Sequence, residues 1–135
     1  MKKHLTLLIV DDDQDDRDLF LEAVKQINPS FKCLGISNGE EALAMLKGHH
    51  AVLPDFIFLD LNMPRMNGRQ FFAEMKRDAR LSNIPIIIYS TSRRQEDVAE
   101  LKRYGALGFI TKPKTFDEIC HVISEVLSQK QIMAV

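Results

Sequence analysis

Five aspartates fall within six consecutive residues near the start of the chain, at the end of the stretch "LLIVDDDQDD" from Leu7 to Asp16. Carboxylates this close repel one another unless a cation or hydrogen-bond donors compensate their charge. A further aspartate, Asp60, lies in an otherwise apolar run, where an unpaired carboxylate is costly to bury. Such oxygen-rich groups suit a hard divalent cation, and Mg²⁺ takes one or two carboxylates together with waters and phosphate oxygens.

Two other side chains could bind a phosphoryl group. Ser90 follows the apolar run "IIIY", and Lys112 follows the short run "GFIT". A hydroxyl and an ammonium placed opposite a metal could bind phosphoryl oxygens, while a carboxylate could act as the nucleophile. The residue types therefore predict phosphoryl chemistry, provided that the fold brings these two groups to the aspartates.

Apolar runs alternate with helical patterns along the whole chain. Strands are predicted at residues 5–10, 32–37, 56–61, 84–89 and 109–111, and helices at 15–27, 40–47, 68–77, 95–104 and 116–128. Buried strands that alternate with amphipathic helices are typical of a parallel sheet covered on both faces. Right-handed crossovers leave few topologies. We expect an α/β, flavodoxin-like (βα)5 fold, with a doubly wound parallel sheet in the strand order 2-1-3-4-5.

This strand order makes the first and third strands neighbours. Asp11 and Asp12 follow the first strand, and Asp60 lies at the end of the third. The fourth and fifth strands end near Ser90 and Lys112. In such sheets ligands bind beyond the carboxyl ends of the strands, so we expect all five side chains to meet at one edge.

The composition excludes several other classes of protein. The 135 residues fit a single domain, which we place at 1–135 with a core of about 5–128 and a short C-terminal tail at 129–135. A formal net charge of -1 favours no nucleic-acid partner, and no apolar segment is long enough to span a membrane. Cys33 and Cys120 lack metal-binding or redox spacing, so we expect reduced thiols in a cytoplasmic protein.

The sequence is similar to the receiver domains of bacterial two-component response regulators. The matching motifs are "VDD" at 10–12, "LDLNMPRMNG" at 59–68, Ser90 after "IIIY", "GALGF" at 105–109 and "KP" at 112–113. They occur in order and extend the resemblance from about Leu5 to Leu127. Each motif alone is modest, but together they are highly specific.

The resemblance implies a role for each matching residue. Asp60 is similar to the aspartate that accepts a phosphoryl group from a kinase phosphohistidine. Asp12 would bind Mg²⁺ directly and Asp11 through water, with Asp60 and the backbone carbonyl of Asn62 completing the metal site. Lys112 would pair with the phosphoryl group, and we expect its peptide bond to Pro113 to be cis, a deliberate feature where it occurs.

Two further positions are implied to act as the switch. Ser90 would bind a phosphoryl oxygen through its hydroxyl, and Phe109 occupies the position of the aromatic switch residue. Serine stands here where threonine is common in the family, and it lacks the methyl that restricts the rotamer. Phenylalanine stands where tyrosine is frequent, so any switching must rest on packing.

The resemblance leads us to expect a stand-alone receiver that acts as a phosphorylation-activated switch. It would not be an enzyme beyond promoting its own phosphorylation and dephosphorylation. Its expected partners are a sensor histidine kinase and either a downstream protein target or a phosphorelay protein. The surface formed by the fourth helix, fifth strand and fifth helix is the expected output face, and it could also form a homodimer.

Other interpretations of the same residues differ in what they require. Asp13, Asp15 and Asp16 fit a helix start, where carboxylates cap the backbone and suit the helix dipole. A calcium-binding EF-hand loop needs glycine at its sixth position, where the chain has Asp16. A phosphohydrolase of the haloacid dehalogenase type needs a second aspartate where the chain has Asn62. A flavodoxin-type carrier would need hydroxyls and amides after the first strand instead of acids.

Overall fold

The structure is a computed structural model that describes residues 4–49, 51–91 and 94–134, with 129–134 described for their backbone alone. Five strands alternate with five helices along the chain. The strands are β1 (Thr6–Val10), β2 (Lys32–Ile36), β3 (Phe56–Leu59), β4 (Ile86–Ser90) and β5 (Gly108–Thr111). The helices are α1 (Gln14–Ile27), α2 (Gly39–Leu46), α3 (Gly68–Arg77), α4 (Gln95–Arg103) and α5 (Phe116–Ala134).

All neighbouring strands pair in parallel, in the order β2-β1-β3-β4-β5. This confirms the predicted fold class and strand order. In the register between the neighbouring strands β1 and β3, Val10 lies opposite Leu59. Asp11 and Asp60, the first residues after these two strands, therefore lie side by side at the carboxyl edge of the sheet.

The sheet separates two apolar cores, and alternate residues of each strand enter one or the other. Leu8 and Val10 point into the core formed with α2, α3 and α4, whereas Leu7 and Ile9 point into the core formed with α1 and α5. Burying an aliphatic side chain of this size contributes about 1.5–3 kcal/mol relative to leaving it in water. Burial on both faces explains why the central strands are apolar throughout.

Side-chain caps fix where the helices begin at the carboxyl edge of the sheet. Asp13 precedes α1 and accepts a hydrogen bond from the amide of Asp16 at 3.0 Å. Asn67 precedes α3, where its side chain and that of Gln70 bond reciprocally to each other's backbone amides. Such caps satisfy amides that have no partner inside the helix. The helix-start interpretation is therefore correct for Asp13.

The last helix differs from its predicted length. We predicted that it ends at Ser128 and is followed by a tail, but α5 continues to Ala134, and Val135 lies outside the described residues. No glycine or proline follows Ser128, so the sequence contains no signal that would end the helix there. Among the described helices, none combines the length and the apolar character needed to cross a membrane.

Candidate functional site

Three aspartates meet at the carboxyl edge of the sheet. Asp11 and Asp60 directly follow β1 and β3 and are buried, while Asp12 is exposed. One carboxylate oxygen from each lies within 4.8 Å of the others. The predicted convergence of these residues is thus present in the structure. It follows from the strand register, because the backbone amide of Asp60 donates to the carbonyl of Val10 at 3.0 Å.

Asp11 is the most buried of the three carboxylates. Its Oδ1 accepts a hydrogen bond from the Asp13 amide at 3.0 Å, and its Oδ2 lies 2.7 Å from the Lys112 ammonium. Burial raises the pKa of Asp11 to about 6, and the charge of Asp60 acts in the same direction, although Lys112 and the Asp13 amide oppose it. A buried carboxylate is costly unless a cation compensates its charge.

Lys112 brings a positive charge into this acidic cluster. Its Nζ lies 2.7 Å from Asp11 Oδ2, 2.7 Å from Asp16 Oδ2 and 3.6 Å from Asp60 Oδ2, and its side chain is 9% exposed. Burial alone lowers the pKa of Lys112, but the carboxylates of Asp11 and Asp16 outweigh it and raise the pKa above its usual value. The lysine is therefore an ammonium ion at neutral pH.

Close backbone packing holds the loop after β3, which carries Asp60. The amide of Gly68 donates to the carbonyl of Leu61 at 3.0 Å. A Cβ added at Gly68 would lie 2.4 Å from the carbonyl oxygen of Asp60 and 2.6 Å from the Cα of Leu61. The predicted start of this helix at residue 68 is correct, but the prediction missed this contact. Only glycine allows α3 to begin so close to the phosphoacceptor candidate.

The remaining predicted residues lie partly at the same edge and partly in the core. Ser90 is the last residue of β4 and is buried, and its carbonyl accepts a hydrogen bond from the Lys112 amide at 3.0 Å. Asn62 and Thr91 line an open depression of about 610 Å³, together with carboxylates of the acidic cluster. Phe109 in β5 is half-buried against the core that contains α2, α3 and α4. The structure thus places Phe109 beside the helices, away from the carboxylates.

One prediction about the site is wrong. We expected a cis peptide between Lys112 and Pro113, but no cis peptide bond occurs in the described parts of the chain. The trans isomer is the one that bonds to proline favour, by about 0.5–1 kcal/mol. With the trans bond, the Lys112 ammonium still reaches Asp11 and Asp16.

Asp16 is a site residue that sequence reasoning missed. We interpreted it as part of a helix start, but its carboxylate lies at the site and contacts Lys112. The available signal was its spacing from Asp13. A residue three positions after the cap lies in the first helical turn, next to the strand ends, so its side chain could extend toward the site.

A second ion-pair cluster lies between the first turn of α3 and α4. Arg69 Nη1 lies 2.7 Å from Glu100 Oε1, and Arg69 Nη2 contacts Asp97 Oδ1. Asp97 is buried, whereas Arg69 and Glu100 are partly exposed. These ion pairs therefore connect α3, which follows the loop after Asp60, to α4, which follows the strand that ends at Ser90.

The acidic cluster fits a hard divalent cation. Its donors are oxygens only, and three carboxylates lie within reach of one ion, with the Lys112 ammonium beside two of them. Oxygen donors of this kind are typical of magnesium, calcium and manganese sites. The residues present are thus compatible with the divalent metal that receiver domains bind.

Three comparisons with known proteins agree with this geometry. Residues 7–124 match the response regulator receiver domain. The chain is 26% identical to the response regulator Rcp1 of Synechocystis sp. over 126 residues, which cover 90% of this chain and 86% of Rcp1. It is 30% identical to the protein PilH of Pseudomonas aeruginosa over 122 residues, which cover 90% of this chain and 97% of PilH.

Solved structures show the same fold. The phosphorylated cyanobacterial phytochrome response regulator RcpA superposes with a TM-score of 0.83 at 30% identity, covering 91% of each chain. The Mn²⁺-bound form of Rcp1 superposes with a TM-score of 0.80 at 27% identity, covering 89% of this chain and 92% of that one. The family match covers residues 7–124 of the 135-residue chain, and the sequence relatives and solved structures agree with it. The chain therefore belongs to the response regulator receiver domains of two-component systems, which act in phosphorylation-dependent signalling.

Proposed function

We propose that Asp60 accepts a phosphoryl group from a sensor histidine kinase in a reaction that depends on Mg²⁺, and that the phosphorylated chain signals through a protein partner. The observation that carries this proposal is the position of Asp60. It is 4% exposed, lies at the carboxyl edge of the sheet within the acidic cluster, and has the Lys112 ammonium 3.6 Å from its Oδ2. A carboxylate placed in this way can act as a nucleophile toward phosphorus.

The transfer exchanges one bond to phosphorus for another. A carboxylate oxygen of Asp60 forms a bond to phosphorus while the bond to the imidazole nitrogen of the donor breaks. That nitrogen keeps the electron pair and takes up a proton. Lys112 would compensate negative charge that develops on the phosphoryl oxygens, and electrostatic stabilisation of this kind is usually the largest single contribution to catalysis.

Mg²⁺ would be held by Asp11, Asp12 and Asp60, with the backbone carbonyl of Asn62 as a further donor. When bound, it would neutralise charge on the phosphoryl oxygens and relieve the repulsion among the carboxylates. The three carboxylate oxygens within 4.8 Å of one another support this assignment, because the single ammonium of Lys112 does not balance their charge.

The output would be a change in the surface formed by α4, β5 and α5. In this proposal the Ser90 hydroxyl binds a phosphoryl oxygen, and the movement of the segment after it is passed to Phe109 by packing. Phe109 already contacts the core on the side of α4. A downstream target, a phosphorelay protein or a second copy of the chain would read the altered surface.

Intact-mass measurement tests the phosphoacceptor. With acetyl phosphate and Mg²⁺, the wild type should gain one phosphoryl group that hydroxylamine removes, as expected of an acyl phosphate. Asp60→Asn should gain none. Asp18→Asn, which removes an exposed carboxylate from α1, serves as the matched control and should behave like the wild type. Equal labelling of Asp60→Asn would assign the nucleophile to another residue.

We also propose that the chain does not turn over external phosphoesters. A haloacid dehalogenase enzyme uses a second aspartate as general acid two residues after the nucleophile, and Asn62 occupies that position here. An amide cannot donate a proton as a carboxylic acid does. Sustained hydrolysis of p-nitrophenyl phosphate that is lost in Asp60→Asn would contradict this proposal.

A further inference from the structure

We propose that Asp16 is a positioning residue, which holds the Lys112 ammonium beside Asp60 so that the lysine is already ordered when a phosphoryl group arrives. This inference rests on the proposed function, because it assigns to Lys112 the role of binding that group. The residue pattern suggested only a helix start for Asp16, and the geometry of the side chains gives it a second role.

The distances around the ammonium divide its contacts into two classes. Asp11 and Asp16 each approach Lys112 Nζ to 2.7 Å, whereas Asp60 stays at 3.6 Å. A lysine ammonium carries three N–H donors. If Asp11 and Asp16 engage one each, one donor remains near Asp60 for a phosphoryl oxygen.

Asp16 is well placed to hold the ammonium because its own backbone is fixed. Its amide donates to the capping carboxylate of Asp13 at 3.0 Å, in the first turn of α1. That helix is anchored in the core through Phe20, Ala23 and Val24. The carboxylate of Asp16 therefore projects from a rigid element and not from a loop.

Lys112 needs such an anchor more than most charged residues. Its side chain has four rotatable bonds, and ordering them opposes the binding of any anion. Asp11 alone supplies one contact and is also a candidate metal ligand, so its charge is shared. A second carboxylate fixes the ammonium without withdrawing it from Asp60.

Removing the Asp16 charge has two effects that must be separated. It releases Lys112, but it also makes the site less negative, which favours any anion. Asp15 provides the matched control. It is exposed, adjacent in sequence and equally charged, and its side chain makes no hydrogen bond or ion pair with the described residues. The variants to compare are therefore Asp16→Asn and Asp15→Asn, with Asp16→Glu as the conservative replacement.

The first measurement needs neither metal nor phosphoryl group. In EDTA, the rate at which an amine-specific acylating reagent modifies Lys112 is followed by peptide mass spectrometry. We expect this rate to rise about two- to fivefold in Asp16→Asn, the effect of losing one partly exposed ion pair. Asp15→Asn should match the wild type, and Asp16→Glu should restore most of the protection. Equal rates in the two asparagine variants would overturn the proposal.

The second measurement tests positioning as opposed to a purely structural contact. Affinity for beryllium fluoride, a stable phosphoryl mimic, is measured with Mg²⁺ present. We expect Asp15→Asn to bind as tightly as the wild type or more tightly, and Asp16→Asn to bind about two- to fivefold more weakly than Asp15→Asn. Equal affinity in Asp16→Asn and Asp15→Asn would overturn the proposed role of Asp16 but not the proposed function. A wild type that binds no beryllium fluoride would contradict the proposed function itself.

Discussion

Two clusters in this chain share one basic side chain among several carboxylates, and they differ in burial and charge balance. Lys112 is 9% exposed and lies among Asp11, Asp16 and Asp60, with Asp12 close by. The side chain of Arg69 is 38% exposed and contacts two carboxylates between α3 and α4. Asp11, Asp60 and Lys112 make the first cluster the more buried of the two, and it has the larger excess of negative charge, whereas the Arg69 cluster is closer to neutral.

This difference distinguishes a functional site, the Lys112 cluster, from a structural ion-pair cluster around Arg69. Excess negative charge in a buried place destabilises the fold until a cation arrives, so such a cluster is retained for function. The Arg69 cluster contributes stability and fixes the position of α4 whether or not a cation is present. Perturbing the Lys112 cluster should therefore reduce the stabilisation by Mg²⁺, whereas perturbing the Arg69 cluster should leave it unchanged.

The largest expected effect is the response of the acidic cluster to Mg²⁺. At about 100 times its dissociation constant, Mg²⁺ should raise the free energy of unfolding of the wild type by about 2.7 kcal/mol. Asp60→Asn should be more stable than the wild type in EDTA, because one repelling charge is gone, and should gain less from Mg²⁺. Thermal unfolding of both proteins with and without Mg²⁺ measures this. Equal gains would show that Asp60 does not share the metal site.

A methyl group at Gly68 should disturb both clusters, because Gly68 packs on the backbone of Asp60 and precedes Arg69. Gly68→Ala should lower the free energy of unfolding by about 1–3 kcal/mol through overpacking. Gly108→Ala is the control, since a Cβ there would lie 3.9 Å from its nearest neighbour. Urea denaturation of the two variants measures the difference. Equal losses would mean that the loop after β3 moves freely to accept the methyl group.

Removing the Arg69 guanidinium should lower the free energy of unfolding less than Gly68→Ala does. Arg69→Gln should lower the free energy of unfolding by about 1 kcal/mol, since one partner, Asp97, is largely buried but the arginine is partly exposed. Arg77→Gln on the same helix loses an exposed pair with Glu74 and should change stability by no more than about 0.5 kcal/mol. Mg²⁺ should stabilise Arg69→Gln as much as the wild type. A reduced gain would indicate that the two clusters are coupled.

The smallest expected effect comes from the loop between the clusters. Arg65 has φ 63°, a left-handed conformation that asparagine tolerates better than other residues with a side chain. Arg65→Asn should be more stable than Arg65→Ala by about 0.5 kcal/mol, since both lose the contact with Glu40 and only alanine keeps the strain. Denaturation midpoints of the two variants decide this. If Arg65→Ala were the more stable, strain at this position would be absent.

The sequence predicted the parts of the site that depend on strand order. Asp11, Asp12 and Asp60 converge because parallel strands end at one edge. Alternating strands and helices predicted the parallel sheet, and we chose the order 2-1-3-4-5 from the few topologies that right-handed crossovers allow. The contact between Asp16 and Lys112 was not predictable in this way. It depends on the direction of two side chains from different elements, which neither periodicity nor composition encodes.

Other differences between the predictions and the structure also have local causes. The cluster around Arg69 depends on how α4 is placed against α3, which the spacing of residues along each helix does not determine. The predicted end of α5 at Ser128 was wrong because it relied on the last apolar residue of the pattern. The expected cis bond before Pro113 came from resemblance to the family, and the described chain has no such bond.

The pairing of Val10 with Leu59 has a consequence for how the chain finds its correct sheet. Strands usually avoid slipping by one residue because alternation of polar and apolar side chains makes the shifted arrangement costly. Here β3 is buried throughout, and β1 is buried at every position except Thr6, so apolar patterning alone distinguishes the two alignments poorly. A shift of one residue would instead move Asp11 or Asp60 into or out of the apolar interior. We therefore expect the carboxylates that we assign to phosphoryl chemistry to disfavour misaligned strands as well.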